Sequence, residues 1–352
     1  MKKATKITLC GYYGRGNLGD EIILKSILNQ IKAQLPYAKI CVLNSKNPLS
    51  NARKMAKSDL FIFGGGSILQ NSTSDASLFY YLTTIRLASL LCKRKIMLSN
   101  GVGPLFERKI PLKIIEIALA RTLNCFDLIS VRDTASQKLL KKLLPNREIH
   151  LVPDPALIEF KNLNRKLSIP QASTPETPFF VFCPHANSLK NQKISSKTVA
   201  KALLNLSNAQ KLQIKIAVFN KKEDLALAKS LQNHLKNAEI FIPLNANEAA
   251  HTFWGAKFVI SSRYHASLLA ISLGIPTLSI SNDPKITALA TDFSTFPTLP
   301  FQIFKKPLIL NKKTLETFSH HAKNGDVVAQ KVELFAHNSK ITINKILKQN
   351  HP

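Results

Sequence analysis

The sequence is poor in acidic residues, in cysteine and in long apolar runs. Its 352 residues include 21 Asp and Glu against 49 Lys and Arg, a formal net charge of +28. No apolar run reaches the ~18 residues that a membrane-spanning helix needs. The five cysteines form neither a CxxC pair nor a zinc-binding spacing. These absences exclude an integral membrane protein and a disulfide-rich scaffold, and we predict a cytoplasmic protein with free thiols.

Arginine is scarce as well, since only ten of the 49 basic residues are Arg. Residues 166–352 contain 22 Lys and one arginine, Arg263. The excess of positive charge favours anionic partners, namely nucleic acid, anionic lipid head groups or phosphorylated substrates. A lone arginine among lysines indicates a position that needs the planar fork of donors rather than a point charge.

Short apolar runs bounded by Gly, Asn, Asp or Pro alternate with helical patterns along most of the chain. This alternation is typical of buried parallel strands covered by helices. The stretch 161–178 is rich in Pro, Asn and Ser and interrupts the pattern. We therefore predict an α/β fold with two Rossmann-like domains, 1–160 and 179–300, which face a central crevice. Residues 161–178 are the predicted linker, and 301–352 form a C-terminal helical segment that packs back on the first domain.

Glycines are concentrated where the first predicted strand turns into the first helix. The loop contains Gly14, Gly16, Asn17, Gly19 and Asp20. A bare backbone followed by a helix N-terminus favours a phosphate or carboxylate ligand. The Gly-Lys-Ser/Thr of a Walker A loop is missing, and no acidic residue ends the second strand as a dinucleotide fingerprint requires. The alternative is a tight turn in which Asp20 caps the helix.

A second glycine cluster, Gly65, Gly66 and Ser67, follows an apolar strand and predicts another ligand loop at a strand end. Arg132 ends a later strand, where we expect it to bind an anion. Asp133 follows it and is a candidate acid or base, with a helix cap as the alternative.

The turn Arg263-Tyr264-His265 follows a strand in the second half. Arg263 offers bidentate contacts to a carboxylate or phosphate, and His265 can transfer a proton near neutral pH. We predict Arg263, Tyr264 and Arg132 as donor-binding residues and His265 as catalytic. Further candidates at strand ends are His185, Asp283 and Lys285.

Six sequence blocks between about residues 7 and 290 resemble the polysaccharide pyruvyl transferase family, in particular its CsaB-type branch. They are GYYGRGNLGDEIIL, FGGGSILQNSTS, SNGVGPL, DLISVRD, VPDPAL and SSRYHASLLAISLGIPTLSISNDPKI, in that order. The chain departs from the usual residues at Asn71, Asn100 and Asn282. It also has Cys183-Pro184-His185 where the family often has Ser-Leu-Arg.

The resemblance implies a GT-B-like arrangement and transfer of pyruvate from phosphoenolpyruvate to a sugar as a ketal. It also implies that the sugar belongs to a surface or cell-wall polysaccharide and that the acceptor is lipid-linked or nucleotide-linked. In this chemistry His265 is the acid that protonates the methylene carbon. Asp20 and Asp133 remain alternatives for the base. The reaction needs no cofactor or metal ion, and we predict none.

The sequence also suggests one other function and two other kinds of partner. The first is a GT-B glycosyltransferase that uses a sugar nucleotide, in which Asp283 would hold the donor ribose. The second is nucleic-acid binding, which the charge suggests but which we reject because no aromatic-basic RNA signature is present. The third is peripheral contact with the anionic inner face of the cell membrane. The sequence does not specify an oligomeric state.

Overall fold

A computed structural model describes residues 4–43, 47–72, 74–166, 177–293, 304 and 325–349. The described residues group into two compact units. The first unit draws on Met1–Tyr13, Ile23–Pro155 and Ala336–Pro352, and the second on Gly14–Ile22 and Ala156–Phe335. The glycine loop at the N-terminus therefore belongs with the second half of the chain.

The first unit contains a six-stranded parallel sheet in the order β2-β1-β3-β4-β5-β6. Its strands are β1 (Lys6–Cys10), β2 (Lys39–Val42), β3 (Leu60–Gly64), β4 (Arg94–Asn100), β5 (Leu128–Val131) and β6 (Ile149–Leu151). Strand β3 is buried along its whole length because it lies between β1 and β4. This position explains its unbroken apolar sequence.

Four helices of this unit pack against one another in chain order, so that each contacts the next. They are α2 (Pro48–Ala56), α3 (Asp75–Leu91), α4 (Leu112–Leu123) and α5 (Thr134–Leu143). Their apolar sides cover β3, β4 and β5 in one core that includes Phe63, Leu82, Ile115 and Leu140. Helix α1 (Leu18–Gln34) contributes residues to both units.

The second unit contains a five-stranded parallel sheet in the order β11-β10-β7-β8-β9. The strands are β7 (Phe179–Cys183), β8 (Gln213–Ala217), β9 (Glu239–Phe241), β10 (Val259–Ser261) and β11 (Thr277–Ser279). The helices are α6 (Ala156–Lys166), α7 (Ala186–Asn191), α8 (Ser196–Gln210), α9 (Lys221–His234), α10 (Ala246–Phe253), α11 (Tyr264–Ser272) and α12 (Pro284–Asp292). Strand β7 is central and fully buried, as its sequence FFVFC indicates.

The first part of the predicted linker is helical. Helix α6 extends to Lys166 because Leu157, Phe160 and Leu163 are buried on one side of it. That helix contacts α10 and α11 of the second unit. The predicted linker residues 167–176 lie outside the described residues.

Of the predicted C-terminal segment, the structure describes Phe304 and helix α13 (Gly325–Gln349). Residues of α13 up to 335 group with the second unit and those from Ala336 with the first. No helix in the described part of the chain combines the length and apolar character needed to cross a membrane.

Candidate active site

Three adjacent strands of the second unit end beside a cluster of ionisable side chains. Arg263 and His265 follow β10, His185 follows β7, and Asp224 lies on α9 after β8. The carboxyl ends of neighbouring parallel strands meet at one edge of a sheet, which is where open α/β sheets bind ligands. The sequence predicted the arginine and both histidines at this edge.

Two carboxylates hold one edge of the Arg263 guanidinium. Nε and Nη2 donate to the two carboxylate oxygens of Asp224 at 2.9 and 2.6 Å, and Nη2 also donates to Glu223 Oε2 at 2.6 Å. Within the described chain, Nη1 has no hydrogen-bond partner, and the side chain is 12% exposed. Arg263 therefore has a fixed orientation with one nitrogen left for an anionic ligand.

Asp224 and Glu223 are the members of this cluster that the sequence did not indicate. Asp224 is fully buried, and its Oδ1 also accepts a hydrogen bond from the backbone nitrogen of Ala186 at 3.0 Å. Burial raises the pKa of Asp224, and Arg263 offsets part of that rise. Acidic residues in the first turn of a helix are ordinary, so Glu223 and Asp224 gave no signal in the sequence.

His185 is a neutral imidazole at physiological pH. Burial, with a smaller contribution from the positive charge of Arg263, lowers its pKa to about 3. Its Nδ1 lies 2.7 Å from Ser188 Oγ, and its Nε2 lies 3.8 Å from Glu223 Oε2. His185 therefore adds polar atoms to the cluster without adding positive charge.

The glycine loop packs directly against His265. A Cβ atom on Gly19 would lie 2.0 Å from His265 Nδ1, so only glycine permits this approach. The loop also pairs with the residues that follow β8, because Leu18 N donates to Phe219 O at 2.9 Å and Asn17 forms an antiparallel bridge with Asn220. The structure thus brings together two motifs that are about 245 residues apart in the sequence.

Hydrogen bonds within the loop fix its shape. Asn17 Nδ2 donates to Asp20 Oδ2 at 2.5 Å, and Gly14 N donates to Glu21 Oε1 at 2.6 Å. Gly14 and Gly16 have φ values of 71° and 81°, a region that favours glycine. The Lys222 side chain passes 3.9 Å from the position of a Cβ on Gly16. This lysine places a cation beside the loop, and no motif in the sequence indicated it.

The remaining candidates of the second unit take local roles. The Tyr264 ring meets the His265 ring edge-on, with centroids 5.1 Å apart. Asp283 Oδ1 accepts from Lys285 N at 3.0 Å and so caps helix α12. Lys285 is buried at the start of that helix.

In the first unit, Arg132 is part of a buried ion pair. Its Nη1 donates to Asp154 Oδ2 at 2.8 Å and its Nη2 to Ser67 Oγ. The side chains of Arg132 and Asp154 are only 3% and 1% exposed. Both terminal nitrogens of this guanidinium thus have partners within the first unit, and the donor-binding role of Arg132 stays a prediction.

The second glycine cluster surrounds this ion pair. Gly65 and Gly66 have φ values of 60° and 77°, and a Cβ on Gly65 would lie 2.2 Å from Ile23 Cγ2. Asp133 Oδ1 accepts from Ser136 N at 2.7 Å, so Asp133 is the cap of α5, the alternative that the sequence left open. Close packing against Ile23 explains why residue 65 is a glycine, and the helix cap explains why residue 133 is an aspartate.

Comparison with known proteins agrees with the motifs. The sequence model for polysaccharide pyruvyl transferase matches residues 17–284, which include the end of the glycine loop from Asn17 and the Arg263–His265 turn. The chain belongs to the polysaccharide pyruvyl transferase family. No curated protein sequence gives a match.

Solved structures with similar folds share little sequence with this pyruvyl transferase family member. A UDP-GlcNAc 2-epimerase from Neisseria meningitidis bound to UDP-GlcNAc has a TM-score of 0.61 at 14% identity, over 98% of this chain and 100% of that one. Os79 from O. sativa in complex with UDP has a TM-score of 0.57 at 11% identity, over 98% and 100%. MnaA from S. aureus with UDP has a TM-score of 0.57 at 11% identity, over 96% and 92%. These likenesses confirm the predicted GT-B-like α/β fold.

Proposed function

We propose that this protein transfers the pyruvyl group of phosphoenolpyruvate to two hydroxyls of a sugar, which forms a ketal and releases phosphate. The observation that carries the proposal is the contact between Gly19 and His265. This contact joins the glycine loop to the Arg263–His265 turn, and the two residues that meet lie within the region that matches the family.

The donor carries a carboxylate and a phosphate, so its site needs fixed positive groups. Arg263 offers Nη1 in an orientation held by Asp224 and Glu223. Lys222 lies beside Gly16, and the start of α1 adds a helix N-terminus in the same loop. Backbone N–H groups and the helix dipole favour an anion at such a position. These groups support binding of a small molecule with two anionic ends.

The reaction requires balanced proton transfers. His265 donates a proton to the methylene carbon, which becomes a methyl group, while one sugar hydroxyl adds to the central carbon. A second hydroxyl then displaces phosphate from the same carbon, and the protons of both hydroxyls leave with the base and the phosphate. Asp20 is the base that we retain, because it adjoins Gly19, whereas the Asp133 carboxylate caps a helix of the first unit.

The sugar acceptor is lipid-linked or nucleotide-linked and belongs to a surface polysaccharide pathway. The similar structures that hold UDP or UDP-GlcNAc support the nucleotide-linked form. They also support the second candidate function, a glycosyltransferase that uses a sugar nucleotide as donor. The two functions differ in which bond breaks, at the phosphoenolpyruvate ester or at the sugar–nucleotide bond.

The test incubates the purified protein with phosphoenolpyruvate and UDP-linked or lipid-linked amino sugars. We expect phosphate release that depends on the acceptor, and an acceptor mass that grows by pyruvic acid minus water. Release of UDP without phosphoenolpyruvate would favour the glycosyltransferase instead. Consumption of neither donor with any of these sugars would contradict both functions.

Arg263→Lys separates the role of the planar guanidinium donors from that of positive charge. This variant should lower kcat/KM for phosphoenolpyruvate by about tenfold or more, because lysine cannot keep the two-carboxylate contact and still present a nitrogen. Arg53→Lys, at an exposed position on α2, is the matched control and should leave kcat/KM unchanged. Unchanged kinetics in Arg263→Lys would remove Arg263 from the donor site.

A further inference from the structure

Helices α3 and α4 of the first unit expose apolar side chains on their outer sides. We call these exposed residues the α3–α4 surface. They are Tyr80, Leu87, Leu90, Ile114 and Ile117. Leu90 is 83% exposed and Ile114 is 52% exposed. An amphipathic helix normally keeps such side chains toward the core, so their exposure on two adjacent helices needs a separate explanation.

The exposed apolar residues form one stripe on each of two neighbouring helices. Positions 80, 87 and 90 lie on one stripe of α3, and positions 114 and 117 lie on one stripe of α4. The two helices pack against each other. The opposite sides of both helices already supply the core through residues such as Leu82 and Ile115. The exposed residues are therefore additional to those that stabilise the fold.

Positive charges accompany the apolar side chains. Arg86, Lys93, Lys113 and Arg121 are all exposed on or next to the same two helices. The acidic residues of α3 and α4 are Asp75 and Glu116. Asp75 accepts a hydrogen bond from Asn71 at 2.7 Å, and Glu116 pairs with Lys142 at 3.5 Å. The surface is thus cationic as well as apolar.

We propose that the α3–α4 surface binds the anionic face of a lipid bilayer. Apolar side chains can enter the boundary between head groups and acyl chains, while Lys and Arg remain level with the lipid phosphates. A tyrosine suits that boundary because its ring is apolar and its hydroxyl is polar. In this proposal part of the net charge of +28 acts at this surface.

A second copy of the chain fits this surface less well. A symmetric dimer places the same patch of both copies face to face. Arg86, Lys113 and Arg121 of one copy would then approach the same cations of the other, with Glu116 as the nearby acid on these helices. Like charges repel across such an interface, whereas anionic lipid complements them.

The experiment measures co-sedimentation of the full chain with vesicles of phosphatidylglycerol and phosphatidylethanolamine, and with vesicles of phosphatidylcholine alone. We expect pelleting with the anionic vesicles at low salt and little with the neutral ones. Pelleting should weaken in 1 M salt, where the Debye length falls to ~3 Å. No pelleting with anionic vesicles at low salt would overturn the proposal.

Variants locate the binding surface. The double variant Leu87→Ser with Leu90→Ser should weaken partitioning about tenfold, because apolar side chains leave the boundary region. Lys113→Glu with Arg121→Glu should weaken it about thirtyfold or more at low salt. The matched controls on exposed positions of the second unit are Leu204→Ser with Leu244→Ser, and Lys197→Glu with Lys201→Glu.

The control variants show whether lipid binding is specific to the α3–α4 surface, and the oligomeric state shows whether a second copy binds there. Equal losses in the control pairs would mean that charge acts without a specific surface, and the proposal would be wrong. Light scattering of the wild type and of the Leu87→Ser, Leu90→Ser variant tests whether a second copy of the chain binds this surface instead. A wild-type dimer that becomes a monomer in that variant would identify the α3–α4 surface as an interface between copies.

Discussion

Arg132 and Arg263 occupy corresponding places in the two units but have opposite environments. Each follows a strand at the carboxyl edge of a parallel sheet. Arg132 is paired with Asp154 and Ser67 and is 3% exposed. Arg263 is held along one edge by Asp224 and Glu223 and keeps Nη1 without a partner among the described residues. The first arrangement is a buried ion pair, and the second is the one that fits the proposed donor-binding role.

The residue two positions after each arginine continues the contrast. In the second unit it is His265, which touches the glycine loop at Gly19. In the first unit it is Thr134, which begins helix α5. Position at a strand end therefore does not define function. The partners that each side chain meets decide whether it stabilises the sheet edge or contributes to a reaction.

The largest effect should come from removing the histidine. We expect His265→Ala to lower kcat for phosphoenolpyruvate-dependent ketal formation by about 10²–10⁴-fold, because a positioned general acid contributes that much to rate. KM for phosphoenolpyruvate should change far less. Steady-state kinetics of phosphate release, with the acceptor saturating, measures both constants.

Thr134→Ala is the counterpart in the first unit. Its kcat should remain near that of the wild type, since the Thr134 side chain is exposed at a helix start. A His265→Ala variant with equal losses in kcat and thermal stability, or a Thr134→Ala variant that is equally inactive, would contradict the assignment of chemistry to the second unit.

The next effect is on stability and concerns the buried ion pair. Arg132→Met should lower the free energy of unfolding by about 3–5 kcal/mol, because Asp154 would be left buried without its counter-charge. Urea denaturation measures this loss. The double variant Arg132→Met with Asp154→Leu removes the closest pair of charges and should recover part of the loss, because Asp133 Oδ2, 3.6 Å from Arg132 Nε, still lacks a counter-charge.

This pair of variants sharpens the comparison between the two arginines. If Arg132→Met folds as stably as the wild type but loses its affinity for phosphoenolpyruvate, then Arg132 is a ligand-binding residue. The first unit would in that case contribute to the donor site.

The sequence indicated the fold because its central strands have unbroken apolar runs that end in glycine or polar residues. Strand β3 and its three glycines are an example. It also indicated Arg263 and His265, since an isolated arginine and a nearby histidine stand out among lysines. These signals are local, and they depend on residue type and spacing alone.

Contacts between distant segments could not be predicted in this way. Asp224 lies in the sequence KKEDLALAK, which is an ordinary amphipathic helix start, and nothing local links it to Arg263. Asp154 is likewise 22 residues from Arg132, so the arginine looked free in the sequence. The glycine loop looked like part of the first domain, because only the folded chain places Gly19 against His265.

A glycine variant in each unit gives a smaller effect. Gly19→Ala places a Cβ 2.0 Å from His265 Nδ1, so the imidazole or the loop must move. Because a displacement of about 1 Å can cost up to 10²-fold in rate, we expect kcat to fall between about tenfold and that limit.

Gly101→Ala would place a Cβ 2.3 Å from Ser67 Oγ and 3.1 Å from Arg132 Nε, and should reduce stability rather than kcat. Kinetics and urea denaturation of both variants compare the units, and a normal kcat in Gly19→Ala would show that the contact does not position His265.

The smallest effect distinguishes the two arginine sites by their response to acid. The pKa of His185 is lowered from 6.5 to about 3, first by burial and then by Arg263, whereas Arg132 contacts Asp154, Asp133 and Ser67. The unfolded chain takes up a proton on this residue near pH 6.5, but the folded chain does so only near pH 3. The stability that depends on neutral His185 is therefore complete above pH 6.5 and is lost as the pH falls toward 3.

His185→Gln removes this titration and keeps an uncharged polar side chain. Between pH 6.5 and about pH 5, the wild type should lose about 1 kcal/mol more stability than the variant, an amount that allows for partial exposure of the imidazole. Urea midpoints at a series of pH values measure the difference. At pH 7.5 the comparison gives the cost of the substitution itself, because His185 is neutral in both the folded and the unfolded wild type. A difference between wild type and variant that stays constant from pH 7.5 to 5 would mean that His185 is protonated equally in both states, and that the Arg263 cluster does not exclude its charge.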